Sequence, residues 1–315
     1  MKQLIAGIDI GGTKIAIALA TPDYQLAKKH SFPTAVADGP DKILARTIEH
    51  LERLAQDEQA EILKIGVGSP GPLDIKRGLI LSSPNLPGWN KFPVVENINQ
   101  KMNVPVVLDN DANAAALAEQ KFGAGKAFKN LVYVTVSTGI GGGVIVDGKL
   151  VHGITGNAGE IGHLTVMPNG ILCGCGARGC LEAVCSGTGI ARRFVEKINS
   201  GANSSVMKKV QTAEHITAKI VADAAAEGDR LAIDIWDETI FYLSIGLGNL
   251  IVTLEPEAII IGGGVSQTGE QLFRPLRRQI LNHIKILNAE NVQILPAGLG
   301  TDSGVYGALA LTAQE

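Results

Sequence analysis

The 315-residue chain is long enough for two domains of ordinary size, with 19% charged residues, a net charge of −3 and a pI near 6.1. That balance excludes the basic surface that holds nucleic acid or an anionic membrane, and no apolar run reaches the roughly 20 residues of a membrane helix. The opening MKQLIAGIDIGG begins a strand rather than a signal peptide, and all four cysteines lie between Cys173 and Cys185, so the expectation is a cytoplasmic protein with reduced thiols.

Leu4 to Asp9 and Lys14 to Ala20 read as a strand pair around the turn GGT, with a third strand over Gln25 to Phe32. Ile43, Leu44, Ile48, Leu51 and Leu54 then recur at helical spacing. Ile62 to Gly68 and Val106 to Asp109 suit buried strands, and the second runs into a helix over Ala112 to Lys121 that Gly123 ends. At Leu131 the pattern restarts as LVYVTVS, a glycine turn and GGVIVDG, with a hairpin turn at Asp147 and Gly148. This loosely repeats GIDIGGTKIAIAL, as a duplicated α/β unit would. Helices over Ile216 to Glu227 and Arg230 to Val252, a strand over Ala258 to Ile261, a helix after Gly269, a strand over Val292 to Leu295 and a small apolar helix over Ser303 to Ala313 complete the chain. The expected architecture is two-lobed, with a small α/β lobe over 1–120 onto which 301–315 packs back, a large lobe over 121–300, and a ligand in the cleft between them.

The glycines follow apolar strands. In GIDIGGTK, Asp9 ends a strand directly before Gly11, Gly12, Thr13 and Lys14, whose backbone amides can face phosphate with magnesium near Asp9. Taken alone, the turn also suits a tight hairpin in which Asp9 is the cap. A second loop, STGIGGG over Ser137 to Gly143, and a third, GGG over Gly262 to Gly264, favour a nucleotide cradle. Asp109, Asn110 and Asp111 stand where a strand meets an alanine-rich helix; one must be the N-cap, and three polar residues exceed what capping requires. An Asp there can accept a hydroxyl proton as that oxygen attacks a γ-phosphate, and the helix dipole keeps it ionised.

His163 to Cys180 reads His-x9-Cys-x-Cys-x4-Cys. Three thiolates and an imidazole among glycines suit one closed, structural, tetrahedral zinc site with His163, Cys173, Cys175 and Cys180 as ligands. Cys185 is expected in the core instead. Glu160, His163 and Glu182 attach to this rigid loop and are natural partners for vicinal sugar hydroxyls, and His163 can offer one ring nitrogen to each task.

DIGGTK, SPGP, PNLPGW, NDANAAALAE, STGIGGG, GEIGH with CGCGARGCLE, and IGGG together resemble the ROK family of sugar kinases and repressors over nearly the whole chain, most like its bacterial glucokinases. The resemblance implies the duplicated ribonuclease H-like fold of actin, hexokinase and Hsp70 ATPases, and transfer of the γ-phosphoryl group of ATP to a glucose 6-hydroxyl with magnesium. It implies Asp111 as base and Gly71, Asn85, Asn110, Glu160, His163 and Glu182 at the sugar, with Gly68 and Pro70 shaping the loop over it. Gly12, Thr13, Lys14, Thr138 and Gly139 match phosphate positions, and Gly263 and Gly264 the adenosine side. Repressor members carry a helix-turn-helix ahead of the phosphate loop, for which the nine residues up to Asp9 leave no room. Pocket shape, which the motifs do not encode, decides among glucose, N-acetylglucosamine, N-acetylmannosamine, mannose and fructose. Polyphosphate as donor and a sugar-sensing role without DNA stay open. The resemblance suggests a homodimer or homotetramer.

Overall fold

The computed structural model describes residues 1–83 and 85–314; Pro84, the first residue of PNLPGW, and Glu315, the end of the expected small lobe, lie outside the described residues. In chain order the elements are β1 (Lys2–Ile10), β2 (Lys14–Ala20), β3 (Leu26–Pro33), α1 (Pro40–Asp57), β4 (Ala60–Ser69), β5 (Leu73–Asp74), β6 (Leu79–Ser82), β7 (Asn90–Phe92), α2 (Val94–Met102), β8 (Val106–Asn110) and α3 (Asp111–Phe122). There follow β9 (Leu131–Val136), β10 (Ile140–Val146), β11 (Lys149–Leu150), α4 (Leu181–Cys185), α5 (Gly187–Asn199), α6 (Ala218–Ala226), α7 (Arg230–Leu254), β12 (Ala258–Gly262), α8 (Glu270–His283), β13 (Gln293–Pro296) and α9 (Ser303–Leu311).

Two five-stranded sheets have the orders β3-β2-β1-β4-β8 and β11-β10-β9-β12-β13, the same sequence of strands repeated. In the first, β1 pairs antiparallel with β2 and parallel with β4, and β4 pairs parallel with β8. In the second, β12 runs parallel to both β9 and β13. The duplication expected from the glycine turns is thus a duplication of topology. The chain divides into a unit of Met1–Ala127, Gly143–Gly159 and Gly298–Glu315 and a unit of Phe128–Gly142 and Glu160–Ala297.

In the first unit, α1 buries Ile43, Leu44, Ile48, Leu51 and Leu54 against Leu4, Ile8, Ile15 and Ile17 of the sheet. Burying a side chain of this size contributes about 1.5–3 kcal/mol. On the other face, Val305 and Leu309 of α9 pack with Ile5, Ala16 and Ala18. The second unit centres on β9 and β12, buried almost throughout, and on α7, which buries Trp236, Ile240, Leu243 and Leu247. The hairpin at Asp147 and Gly148 has positive φ at both, 50° and 78°, as a two-residue I′ turn requires.

Helices α2 and α5 have weak signatures. Only Val94 and Ile98 are buried in α2, and α5 opens on Gly-Thr-Gly, poor helix formers, with Ser186 as N-cap accepting the Gly189 N–H at 3.0 Å. Tertiary packing of Ile190, Arg193 and Phe194 overrides that propensity. Among the described residues no helix is long and apolar enough to cross a membrane.

Candidate functional site

In the first unit the functional side chains gather at the C-terminal ends of β1, β4 and β8. Register sets them there: Asp9 pairs with Gly68, and Gly68 pairs with Asp109, so both carboxylates and a bare glycine share one row of the sheet. Gly68 leaves that row open in the middle; a Cβ on it would lie 4.0 Å from both Asp9 Oδ1 and the Asp111 Cα. Burial first, and then the nearby Asp111 charge, push the Asp9 carboxyl up to about 7 against the lowering pull of Lys14. The first turn of α9 closes over Asp9. A Cβ at Gly304 would stand 2.2 Å from Asp9 Oδ2, so only glycine lets the carboxyl occupy this position.

Strand β8 ends at Asn110 and α3 starts at Asp111 with nothing between them. Of the three polar residues Asn110 is the N-cap, its Oδ1 accepting the Ala112 N–H at 2.8 Å. Asp111 is exposed at the first position of the helix, where Oδ1 also meets the Ala112 N–H at 2.8 Å and the helix dipole favours its charge. The GGT turn, with Thr13 and Lys14 exposed, sits under the Asn85 backbone: a Cβ at Gly12 would approach the Asn85 carbonyl oxygen to 2.6 Å. Asn85 is exposed, Gly71 is partly buried, and the Gly71–Pro72 peptide is cis.

The second unit brings together Thr138, Gly139 and Glu182. Glu182 Oε2 accepts the Ile140 N–H at 2.8 Å, and a Cβ at Gly139 would stand 2.5 Å from the same oxygen, so glycine is needed for the carboxylate to approach. One Glu182 oxygen is therefore engaged by the STGIGGG turn. Gly263 and Gly264 follow β12, with Gly263 at φ 85° against the end of β9 and Gly264 exposed.

The donor atoms of His163, Cys173, Cys175 and Cys180 all lie within 4.8 Å of one another. Cys173 Sγ is 3.7 Å from His163 Nδ1, and Cys175 Sγ is 3.7 Å from Cys180 Sγ. A tetrahedral zinc with ligands at about 2.0–2.3 Å has ligand–ligand edges of about 3.3–3.8 Å, so the donor set fits. Backbone bonds shape the loop without regular structure: Cys173 N–H to the Ala177 carbonyl at 2.8 Å, Gly176 N–H to the Cys173 carbonyl at 3.0 Å, and Leu181 N–H to the Leu164 carbonyl at 2.8 Å. His163 turns its Nε2 toward Glu160, 3.9 Å from Oε2. Cys185 lies apart, fully buried, its thiol donating to the Thr239 carbonyl at 3.4 Å.

The profile of the ROK family matches residues 5–315. The chain belongs to the ROK family. This ROK protein is 37% identical over 314 residues to the glucokinase of Thermotoga maritima, covering 100% of this chain and 98% of that one. A ROK family glucokinase from Streptomyces griseus, solved in complex with glucose and AMPPNP, superposes with a TM-score of 0.80 at 33% identity, covering 99% of this chain and all of that one. The ROK hexokinase from Thermus thermophilus gives a TM-score of 0.83 at 33% identity, covering 98% and 97%. The fold is the duplicated actin- and hexokinase-like α/β fold of these kinases.

Several residues that build these sites in the ROK protein escape sequence reasoning. Thr188 donates its hydroxyl to the Thr138 carbonyl at 2.8 Å, and Gly187 N–H reaches the Ser137 carbonyl at 2.6 Å, so the start of α5 braces the STG turn. The signal was the hydroxyl- and glycine-rich SGTG at 186–189, which resembles the other loops. Glu119, the last residue of NDANAAALAE, is fully buried and accepts the N–H groups of Ala124, Gly298 and Leu299 at 2.8, 2.9 and 3.0 Å. His152, 2.7 Å from Asp109, had no signal in the sequence.

Proposed function

We propose that this chain transfers the γ-phosphoryl group of ATP to the 6-hydroxyl of glucose. The observation that carries the chemistry is the corner where Asn110 caps α3 and Asp111 stands exposed beside it, an amide donor and a carboxylate acceptor one residue apart on a rigid element. Asn110 Nδ2 binds a sugar hydroxyl, and Asp111 accepts the proton of the 6-hydroxyl as its oxygen bonds to the γ-phosphorus and the bond to ADP breaks. The loose transition state asks for position more than for basicity, so a carboxylate fixed at a helix terminus suffices. The choice of glucose rests on the full-length similarity to glucokinases.

In the first unit, Gly11, Gly12, Thr13 and Lys14 take phosphate and Gly71 and Asn85 take sugar. In the second, Thr138 and Gly139 take phosphate, Gly263 and Gly264 the adenosine, and Glu160, His163 and Glu182 the sugar. Asp9 suits magnesium, which would neutralise phosphoryl charge; a carboxyl pushed up to about 7 by burial and a neighbouring carboxylate gains from a cation. His163, Cys173, Cys175 and Cys180 would hold zinc, fixing the loop that carries Glu160 and Glu182.

The test is ADP release from Mg-ATP over glucose, mannose, fructose, N-acetylglucosamine and N-acetylmannosamine, with a no-sugar control. Glucose should lead in kcat/KM by at least about tenfold, only about 1.4 kcal/mol of discrimination. A different leading sugar overturns the acceptor assignment, and no turnover on any sugar overturns the kinase reading.

A further inference from the structure

Asp109 is fully buried, and a buried carboxylate is costly unless its lone pairs are answered. Two answers come from its own corner: the Asn110 N–H at 2.7 Å and Asn113 Nδ2 at 2.9 Å, both to Oδ1. The third comes from 43 residues away, His152 Nε2 at 2.7 Å from Oδ2. His152 follows β11, and its carbonyl accepts the Ala158 N–H at 3.1 Å, closing the loop 152–158 on itself. Inside that loop Asn157 bonds both the N–H and the carbonyl of Leu73, at 3.4 and 3.5 Å, directly after the SPGP turn.

We propose that His152 is a positioning residue for phosphoryl transfer: by holding Asp109 it sets the corner that projects Asn110 and Asp111, and it ties that corner to the 152–158 loop. This rests on Asp111 being the base. Without the imidazole, Asp109 Oδ2 is left buried and unpaired. The cheapest relief is rotation of the carboxylate, which drags the Asn110 N–H and the first turn of α3 with it. A base displaced by about 1 Å can lose as much as 100-fold in rate. The hydrogen bond that His152 donates to Asp109 raises the His152 pKa, so the contact gains charge assistance over a wider pH range. His152 keeps 35% of its side chain exposed, so removing it leaves the apolar core intact.

The experiment uses the full chain and the variants His152→Ala, His152→Gln, Asp109→Asn and the His152→Ala, Asp109→Asn double variant. His152→Ala should lower kcat by about 10- to 100-fold and raise the glucose KM, with the ATP KM within about twofold of wild type and a melting temperature lower by only about 2–5 °C. His152→Gln, which keeps an N–H donor, should recover most of the loss. The double variant should be no worse than the poorer single one, because both act through one contact. A wild-type kcat in His152→Ala, or losses that multiply in the double variant, overturns the proposal. Should Asp109→Asn not fold, the Ala and Gln pair decides alone. If the wild type does not phosphorylate glucose, the proposed function fails separately, and amide exchange over Asn110 to Asn113 takes over: faster in His152→Ala and restored in His152→Gln supports positioning, whereas unchanged protection overturns it.

Discussion

The acidic corner of the first unit and the cysteine loop of the second solve the same problem by opposite means. In the corner, Asp9, Asp109 and Asp111 are placed by sheet register and a helix terminus, and each is met by a backbone amide, an amide side chain, an imidazole or a close backbone wall. The loop from His163 to Cys180 has little regular structure, and its order comes from a few backbone bonds and four converging donor atoms. Regular structure can therefore hold costly groups by long-range pairing, while an irregular loop needs a local cross-link. The corner should be sensitive to single atoms, and the loop to the loss of any one of its four converging donors.

The sharpest test of that contrast is Asp111→Asn, expected to lower kcat by about 10³-fold while leaving glucose affinity, read by calorimetry, within about threefold. A near-normal kcat would remove Asp111 from the chemistry. Next, Cys175→Ser should lose bound zinc by elemental analysis, lower the melting temperature, and raise the glucose KM by about tenfold or more with a smaller change in kcat. Retained metal, or an unchanged KM without it, would separate the loop from the sugar.

Gly304→Ala comes third. Its Cβ cannot coexist with Asp9 as placed, so the carboxyl must move, with an expected loss of about tenfold in kcat/KM and about 1–2 kcal/mol of stability from chemical denaturation. An unaffected variant would show that Asp9 has room to spare. The smallest effect concerns Asp9 itself. Its folded pKa of about 7 stands above the ordinary 3.8, so the folded state binds the extra proton. Its relative contribution to stability is full below about 4 and is lost as pH rises through about 7. Without divalent cations, Asp9→Asn should thus be more stable than wild type at pH 8 by about 1 kcal/mol, since part of the carboxyl meets solvent, and no more stable at pH 4. Equal melting curves at pH 8 would contradict this, and adding magnesium to the wild type should narrow the gap.

Much of the fold is legible in the chain because its signals are local. The strands around GGT, the helix period from Ile43 to Leu54 and the Asp-Gly hairpin each sit within a short window. Helix α5 is not legible, since its opening Gly-Thr-Gly disfavours the helix that packing imposes. In the acidic corner, the DND run marks the place but not the division of labour. Its geometry makes Asn110 the cap, buries Asp109 and exposes Asp111.

The sequence by itself determined the residue types of both regions and the His-Cys donor set, because short spacings along one backbone constrain which side chains can converge. Only the tertiary structure decided the long-range partners: Asp9 beside Gly68 and Gly68 beside Asp109, His152 on Asp109, Thr188 on Thr138, and Gly304 against Asp9. Those pairings follow from strand register and helix docking, which bring together groups tens or hundreds of residues apart, and no periodicity within a window carries that information.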